Sequence, residues 1–306
     1  MVKYLVALRM DTARCVLGVI MKNLNMSISL KLFAYGIKNL HDPNWTGMIL
    51  YDRLKQHVRG KVEPYDLLLK PLEKGFSYYL GQWIFEEYFS HEHVEYLHGE
   101  YKYWFIIDFC ELIENHNLNN CSNYEQLKLE VKKISDLYTN DEDEYWEYLD
   151  SREFNRKVFR LFESYVTQNE AAINQVKLLY AAEFSDRMLH DRHLCFYTSC
   201  LLVEIGFDGD DKGTGPKQWV RREYWPERVK TILRSRDRGK CTNCSADLVS
   251  ELDGDVSIDH MIPISKGGCN DLINLQILCS KCNSSKSASL SKVSNSIPKY
   301  IRRNNK

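Results

Sequence analysis

The stretch "SIDHMIPISKGG", residues 257–268, decides how the C-terminal part of this chain folds. A short β-type run, "VSIDH", ends on the adjacent Asp259 and His260, and Pro263, Gly267 and Gly268 follow. Extended residues running into a Gly/Pro segment read as a strand that gives way to a loop. Side chains alternate across a strand, so Asp259 and His260 are expected to point to opposite faces. Two readings fit such a pair: a strand end with its turn, or a hydrolytic metal site. The flanking sequence has to separate them.

Working outward, "LINLQILC" (272–279) is a second apolar run, and "CSKCNSSKSAS" (279–289) brings capping serines and a helix-like continuation. The spacing Cys241-x2-Cys244-x34-Cys279-x2-Cys282 brackets the whole segment. Structural zinc takes four ligands in a tetrahedron, and each CxxC turn delivers two thiolates from one knuckle. Four plain buried thiols or a redox pair would not explain two such turns in one basic segment. The interval is longer than in a compact zinc ribbon, so it must hold a small unit that draws folding energy from the metal.

Strand, loop, strand and helix clasped by two CxxC pairs resemble the HNH nuclease family and its ββα-metal fold. The resemblance covers roughly residues 228–290 and rests on "ILRSRDRGKCTNC", "IDHMIPISKGG", "NLQILCSKCN" and Lys286. It implies His260 as the base that takes a proton from water, since imidazole titrates near neutral pH. Asp259 is the expected first ligand of a catalytic Mg2+ or Mn2+, because carboxylate oxygen suits hard cations. The resemblance places the second ligand at Asn283 and gives Asn274 the task of pinning the loop and orienting His260. Asn283 stands where the family name has histidine, making this an HNN variant; its carbonyl oxygen favours Mg2+ or Mn2+ over zinc or nickel. Cys241, Cys244, Cys279 and Cys282 are the expected structural zinc ligands.

The net charge of −1 hides a division. Residues 217–306 hold 17 Lys and Arg against 9 Asp and Glu, while residues 1–216 hold 24 against 33. A basic module for a polyanion joined to an acidic module with another task is the direct reading. Beside the expected phosphodiesterase site, Arg236, Arg238, Lys240, Lys266, Lys281 and Lys286 are the candidate contacts to nucleic-acid phosphates. Double-stranded DNA is the expected substrate, with weak sequence preference, since no base-reading helix is recognisable. One base and one metal cut one strand per event, so a monomer is expected to nick.

Residues 1–206 read as mainly α-helical, with aromatic-rich amphipathic segments at 64–89, 100–116, 123–138 and 151–166 and Ser151 as a cap. "FDGDDKGTGP" (207–216) reads as a linker, and a basic helix is expected to begin after Trp225. The fold class is therefore α+β: a large helical N-terminal domain (1–206), the linker, and a zinc-stabilised ββα-metal domain with a basic lead-in helix and tail (217–306). No run approaches the about 18 uncharged residues of a membrane helix, and the cysteines form no secreted disulfide framework. The expectation is a cytoplasmic protein without membrane insertion. His91, His93, His98, His190 and His193 match no ligand spacing and are expected to pack or face solvent.

Three functional readings differ in what they explain. A metal-dependent nuclease uses every feature above; a non-catalytic zinc ribbon would leave Asp259, His260 and Asn274 without a task. The helical half, with the acidic "DEDEYWEYLD" (141–150), suits a sensing, protein-binding or autoinhibitory domain. A terminal HNH module on a large helical domain resembles bacterial phage-defence effectors, among them the nuclease subunit of Zorya-type systems. Restriction and homing nucleases are the rival settings.

Overall fold

A computed structural model describes residues 28–42, 50, 74–119, 122–140, 142–204, 224–249 and 256–291. The linker at 207–216, residues 64–73 of the first aromatic segment, and Cys15 and Cys121 lie outside the described residues. The α+β class expected from the sequence is the one observed. Nine helices are described before residue 205: α1 (Ile28–Leu40), α2 (Phe76–Tyr88), α3 (His91–Tyr96), α4 (Gly99–Asn115), α5 (Ser122–Asn140), α6 (Glu142–Asp150), α7 (Arg152–Gln168), α8 (Glu170–His190) and α9 (Arg192–Glu204). Then come α10 (Glu227–Arg236), β1 (Val256–His260), β2 (Leu275–Cys279) and α11 (Ser280–Lys286). Among the described residues no helix is long and apolar enough to cross a membrane.

The chain divides into two compact units, residues 1–36 with 84–180 and residues 37–83 with 181–306. The first is helical around an aromatic core in which Phe89, Phe105, Phe109, Phe162 and Tyr165 are buried. Ser151 caps α7 as its sequence suggests, its hydroxyl accepting from Phe154 N at 3.1 Å. His91 and His93 serve packing: His91 lies edge-on to Phe162 and His93 against Tyr88.

The second unit carries the two-stranded sheet. β1 and β2 are antiparallel, with Asp259 opposite Gln276 and His260 opposite Leu275. Val229, Leu233, Leu248, Leu275, Ile277 and Cys282 form its buried cluster, with Leu189 and Trp225 packed against it. The lead-in helix α10 begins directly after Pro226, with Glu227 in its first turn and Arg234 and Arg236 in its last, as the helix dipole favours. This unit also takes residues from the helical part of the sequence. On α2, Gly81 approaches α8 so closely that a Cβ there would stand 2.9 Å from Ala181 Cα.

Candidate active site and zinc centre

The Sγ atoms of Cys241, Cys244, Cys279 and Cys282 lie within 4.8 Å of one another. Cys244 and Cys279 are 3.8 Å apart. A tetrahedron with Zn–S bonds of about 2.3 Å has edges of about 3.8 Å, so the four thiols fit zinc. Burial raises the Cys241 pKa, but backbone N–H groups of Cys244, Cys279 and Asn243 bring it down to about 7. The Cys244 and Cys282 thiols are instead shifted up, so their ionisation would come with metal binding. The Cys279 sulfur also accepts from Cys282 N at 3.4 Å, which closes the second knuckle onto the start of α11.

The loop between the strands is shaped by Asn274, which is fully buried. Its Oδ1 accepts from Ile262 N at 2.8 Å, and its Nδ2 donates to Ile262 O and Cys269 O, each at 2.9 Å. One amide thus fastens both limbs of the excursion. Both glycines are required by that shape. Gly267 ends a 3-10 turn at φ 87°, and a Cβ on Gly268 would stand 1.9 Å from Ile262 O.

His260 closes β1 and is 6% exposed. Its Nε2 lies 2.7 Å from Asn270 Oδ1. Amide oxygen only accepts, so Nε2 carries the proton and the lone pair falls on Nδ1. The sequence reading gave Asn274 both the pinning of the loop and the orienting of His260; the structure shows Asn274 bonded to the loop and Asn270 in contact with the His260 ring. Trp225, from the segment before α10, brings its ring to 5.6 Å from the imidazole.

Asp259 occupies the other face of β1. Its Oδ2 accepts from Gln276 Nε2 at 3.3 Å and pairs with Lys286 Nζ at 2.8 Å. Gln276 is 1% exposed and is itself braced, its Oε1 accepting from Arg192 at 3.0 Å and from Thr242 at 3.0 Å. Asn283 stands on α11 beside Cys282 of the four-cysteine cluster, and its side-chain amide has no hydrogen-bond partner among the described residues. A carboxylate and an amide oxygen are a donor set for Mg2+ or Mn2+ rather than zinc. Asn270 and Gln276 were missed from sequence because a polar residue in a loop or strand shows no spacing signal.

The six candidate phosphate contacts divide. Arg238, Lys240, Lys266 and Lys281 are exposed. Arg236 is not a surface cation: it is 8% exposed, forks onto Asp237 at 2.8 and 2.9 Å, and donates to Leu272 O and Leu275 O. Asp237 in turn accepts from Ile277 N at 3.2 Å, so the pair braces β2 from beneath. Arg236 stands in the last turn of α10, whose row of Val229, Leu233 and Arg236 is buried, and its charge is answered inside. Lys286 also departs from a solvent-facing role, since it bonds Asp259 and donates to His260 O at 2.8 Å.

Helices far away in sequence reach this site through Asp271, which is fully buried beside Asn270. Its two oxygens accept from Phe76 N, at the start of α2, at 2.8 Å and from Ile273 N at 3.0 Å. Gly75 allows the approach, since a Cβ there would stand 2.6 Å from Asp271 Oδ2. Burial raises the Asp271 pKa to about 6, against the pull of those two N–H groups. A folded pKa above the unfolded one means that protonation favours the fold. The contribution is complete below the ordinary 3.8 and is lost as pH rises through about 6, a change of up to about 3 kcal/mol. In urea titrations, wild type should therefore gain stability relative to Asp271→Asn on going from pH 7 to 5. A difference that stays flat across that range would show that Asp271 does not titrate in this way.

Residues 241–289 match the family model for the HNH endonuclease. No match was found among curated proteins or solved structures. With four cysteines in zinc geometry and the Asp259–His260 pair at the strand end, the chain carries an HNH endonuclease domain at 241–289, a module whose substrate is nucleic acid.

Proposed function

We propose that the chain is a metal-dependent endonuclease that hydrolyses DNA phosphodiester bonds with His260 as general base. The observation that carries this reading is the Nε2–Asn270 contact of 2.7 Å, which leaves the imidazole lone pair on Nδ1. There it takes a proton from the attacking water. Asp259 and Asn283 would hold Mg2+ or Mn2+, which when bound supplies charge stabilisation on the phosphoryl and leaving oxygens. Gln276 fixes the Asp259 carboxylate, and Lys286 keeps a positive charge beside it until substrate and cation arrive. Asn274 preserves the loop that sets Asn270 against His260. Arg238, Lys240, Lys266 and Lys281 contact backbone phosphates without reading bases.

One base and one metal site act on one strand, so a monomer nicks. Regulation by the helical part of the chain is supported by the division of charge. A role as a phage-defence effector has architecture as its support: a nuclease module joined to a large helical body. The test of the activity is supercoiled plasmid incubated with the full chain and Mg2+, Mn2+ or neither. Nicked circles should appear first and only with a divalent ion. No cleavage with either ion would defeat the reading, and linear product without a nicked intermediate would defeat the monomeric nickase.

A further inference from the structure

The helical unit contains a feature that its acidic character does not lead one to expect. On α7, Arg152, Arg156 and Arg160 recur every fourth residue, so they form one row with about 6 Å between neighbours along the axis. The opposite row, Phe154, Val158, Phe162 and Tyr165, is buried in the aromatic core, which fixes the arginine row outward. All three arginines are exposed. They line an open groove of about 610 Å³ whose other walls are Gln126, Glu153, Lys157 and Leu161.

Several cations of this unit are answered by acids: Lys31 by Asp108, Lys128 by Glu114, Lys177 by Glu86 and, within the groove itself, Lys157 by Glu130. None of the three arginines has a carboxylate within ion-pair distance among the described residues, although residues 1–216 hold more acids than bases. The residue type is also informative, since a guanidinium forks onto phosphate oxygens where an ammonium acts as a point charge. Gln126 adds an amide donor beside them.

We infer that the α7 groove is a second nucleic-acid contact, a binding site for the phosphodiester backbone on the helical unit. It rests on the proposed nuclease reading for the nature of its ligand, and it adds affinity without sequence preference. An acidic protein segment would satisfy the same charges, but a polyphosphate backbone presents anions at regular intervals, as the row does.

The experiment measures the affinity of the full chain for a fluorescent duplex DNA by anisotropy, without divalent ions, over a range of salt. Each phosphate contact contributes about 0.9 to the slope of log affinity against log salt. The triple variant Arg152→Gln/Arg156→Gln/Arg160→Gln should therefore lower the slope by between about 2 and 3. A control with the same charge change, Lys128→Gln/Lys177→Gln/Arg187→Gln, removes cations already paired with Glu114, Glu86 and Glu183. The control should leave the slope near that of wild type, and melting curves should confirm that both variants fold. An unchanged slope in the arginine variant, with plasmid cleavage by wild type intact, overturns the groove and leaves the nuclease reading standing. Equal losses in both variants also overturn it, because net charge would then account for the effect. A wild-type chain that neither binds nor cuts DNA removes the nuclease reading itself.

Discussion

His260→Ala is expected to reduce the single-turnover rate of plasmid nicking by about 10²–10⁴-fold, the range that a positioned general base supplies. Affinity for DNA should change little, because His260 is 6% exposed and its proposed partner is the attacking water rather than the backbone charges that carry affinity. The two readouts together separate loss of the base from loss of binding. A mutant that cuts at the wild-type rate would remove His260 from the mechanism. Asn270 gives a finer test, because its Oδ1 lies 2.7 Å from the imidazole Nε2. Asn270→Ala should lower the rate by less than His260→Ala. Asn270→Asp keeps an acceptor but adds a charge that favours the imidazolium. Its activity should survive, with the acid limb of the pH–rate profile moved to higher pH. A purely structural role for Asn270 would give slower cleavage with no such movement.

Much of this site's layout was legible because its residues sit at fixed spacings. The two CxxC turns, the Asp-His pair and the glycines each make a local demand that no neighbouring element can meet for them. Gly268 is there because any side chain would collide with Ile262 O, and that constraint shows as a glycine pair. The order β1, loop, β2, α11 follows from the same residues. What could not be read were contacts that depend on the fold bringing distant segments together. Arg236 looks like every other cation in "RSRDRGK", and only the packing of α10 under β2 turns it inward. Asp271 is one acid in a loop, and its bond to Phe76 N crosses 195 positions of sequence. Arg192 likewise reaches Gln276 from a helix that the sequence assigns to the other domain. Long-range polar contacts of this kind have no periodicity, so a reading based on period and spacing passes over them.

Cys282→Ser should cost the second unit the zinc proposed for its four cysteines and with it the order of α11. Two consequences follow from where the cysteine stands. Asn283 is the next residue, and Lys286 lies three further on along the same face of α11, bonded to Asp259. A helix of 7 residues is too short to persist in water by its own hydrogen bonds, so a zinc bound at the knuckle would help hold Asn283 and Lys286 in place. Structural zinc in small units contributes on the order of 10 kcal/mol, more than the net stability of most domains. Cleavage should therefore disappear, and excess Mg2+ should not restore it. Zinc released on denaturation should fall from one per chain to well below one. The helical signal in far-ultraviolet circular dichroism should survive in large part, because the aromatic core is built from residues 28–180 and contains none of the zinc ligands. Cys269→Ser and Cys195→Ser replace buried thiols outside the four-cysteine group and should keep the zinc. A Cys282→Ser chain that retains one zinc and cuts DNA would place the metal elsewhere. Collapse of the whole helical signal would instead mean that the zinc centre stabilises both units, and that the acidic helical part cannot stand without the module it accompanies.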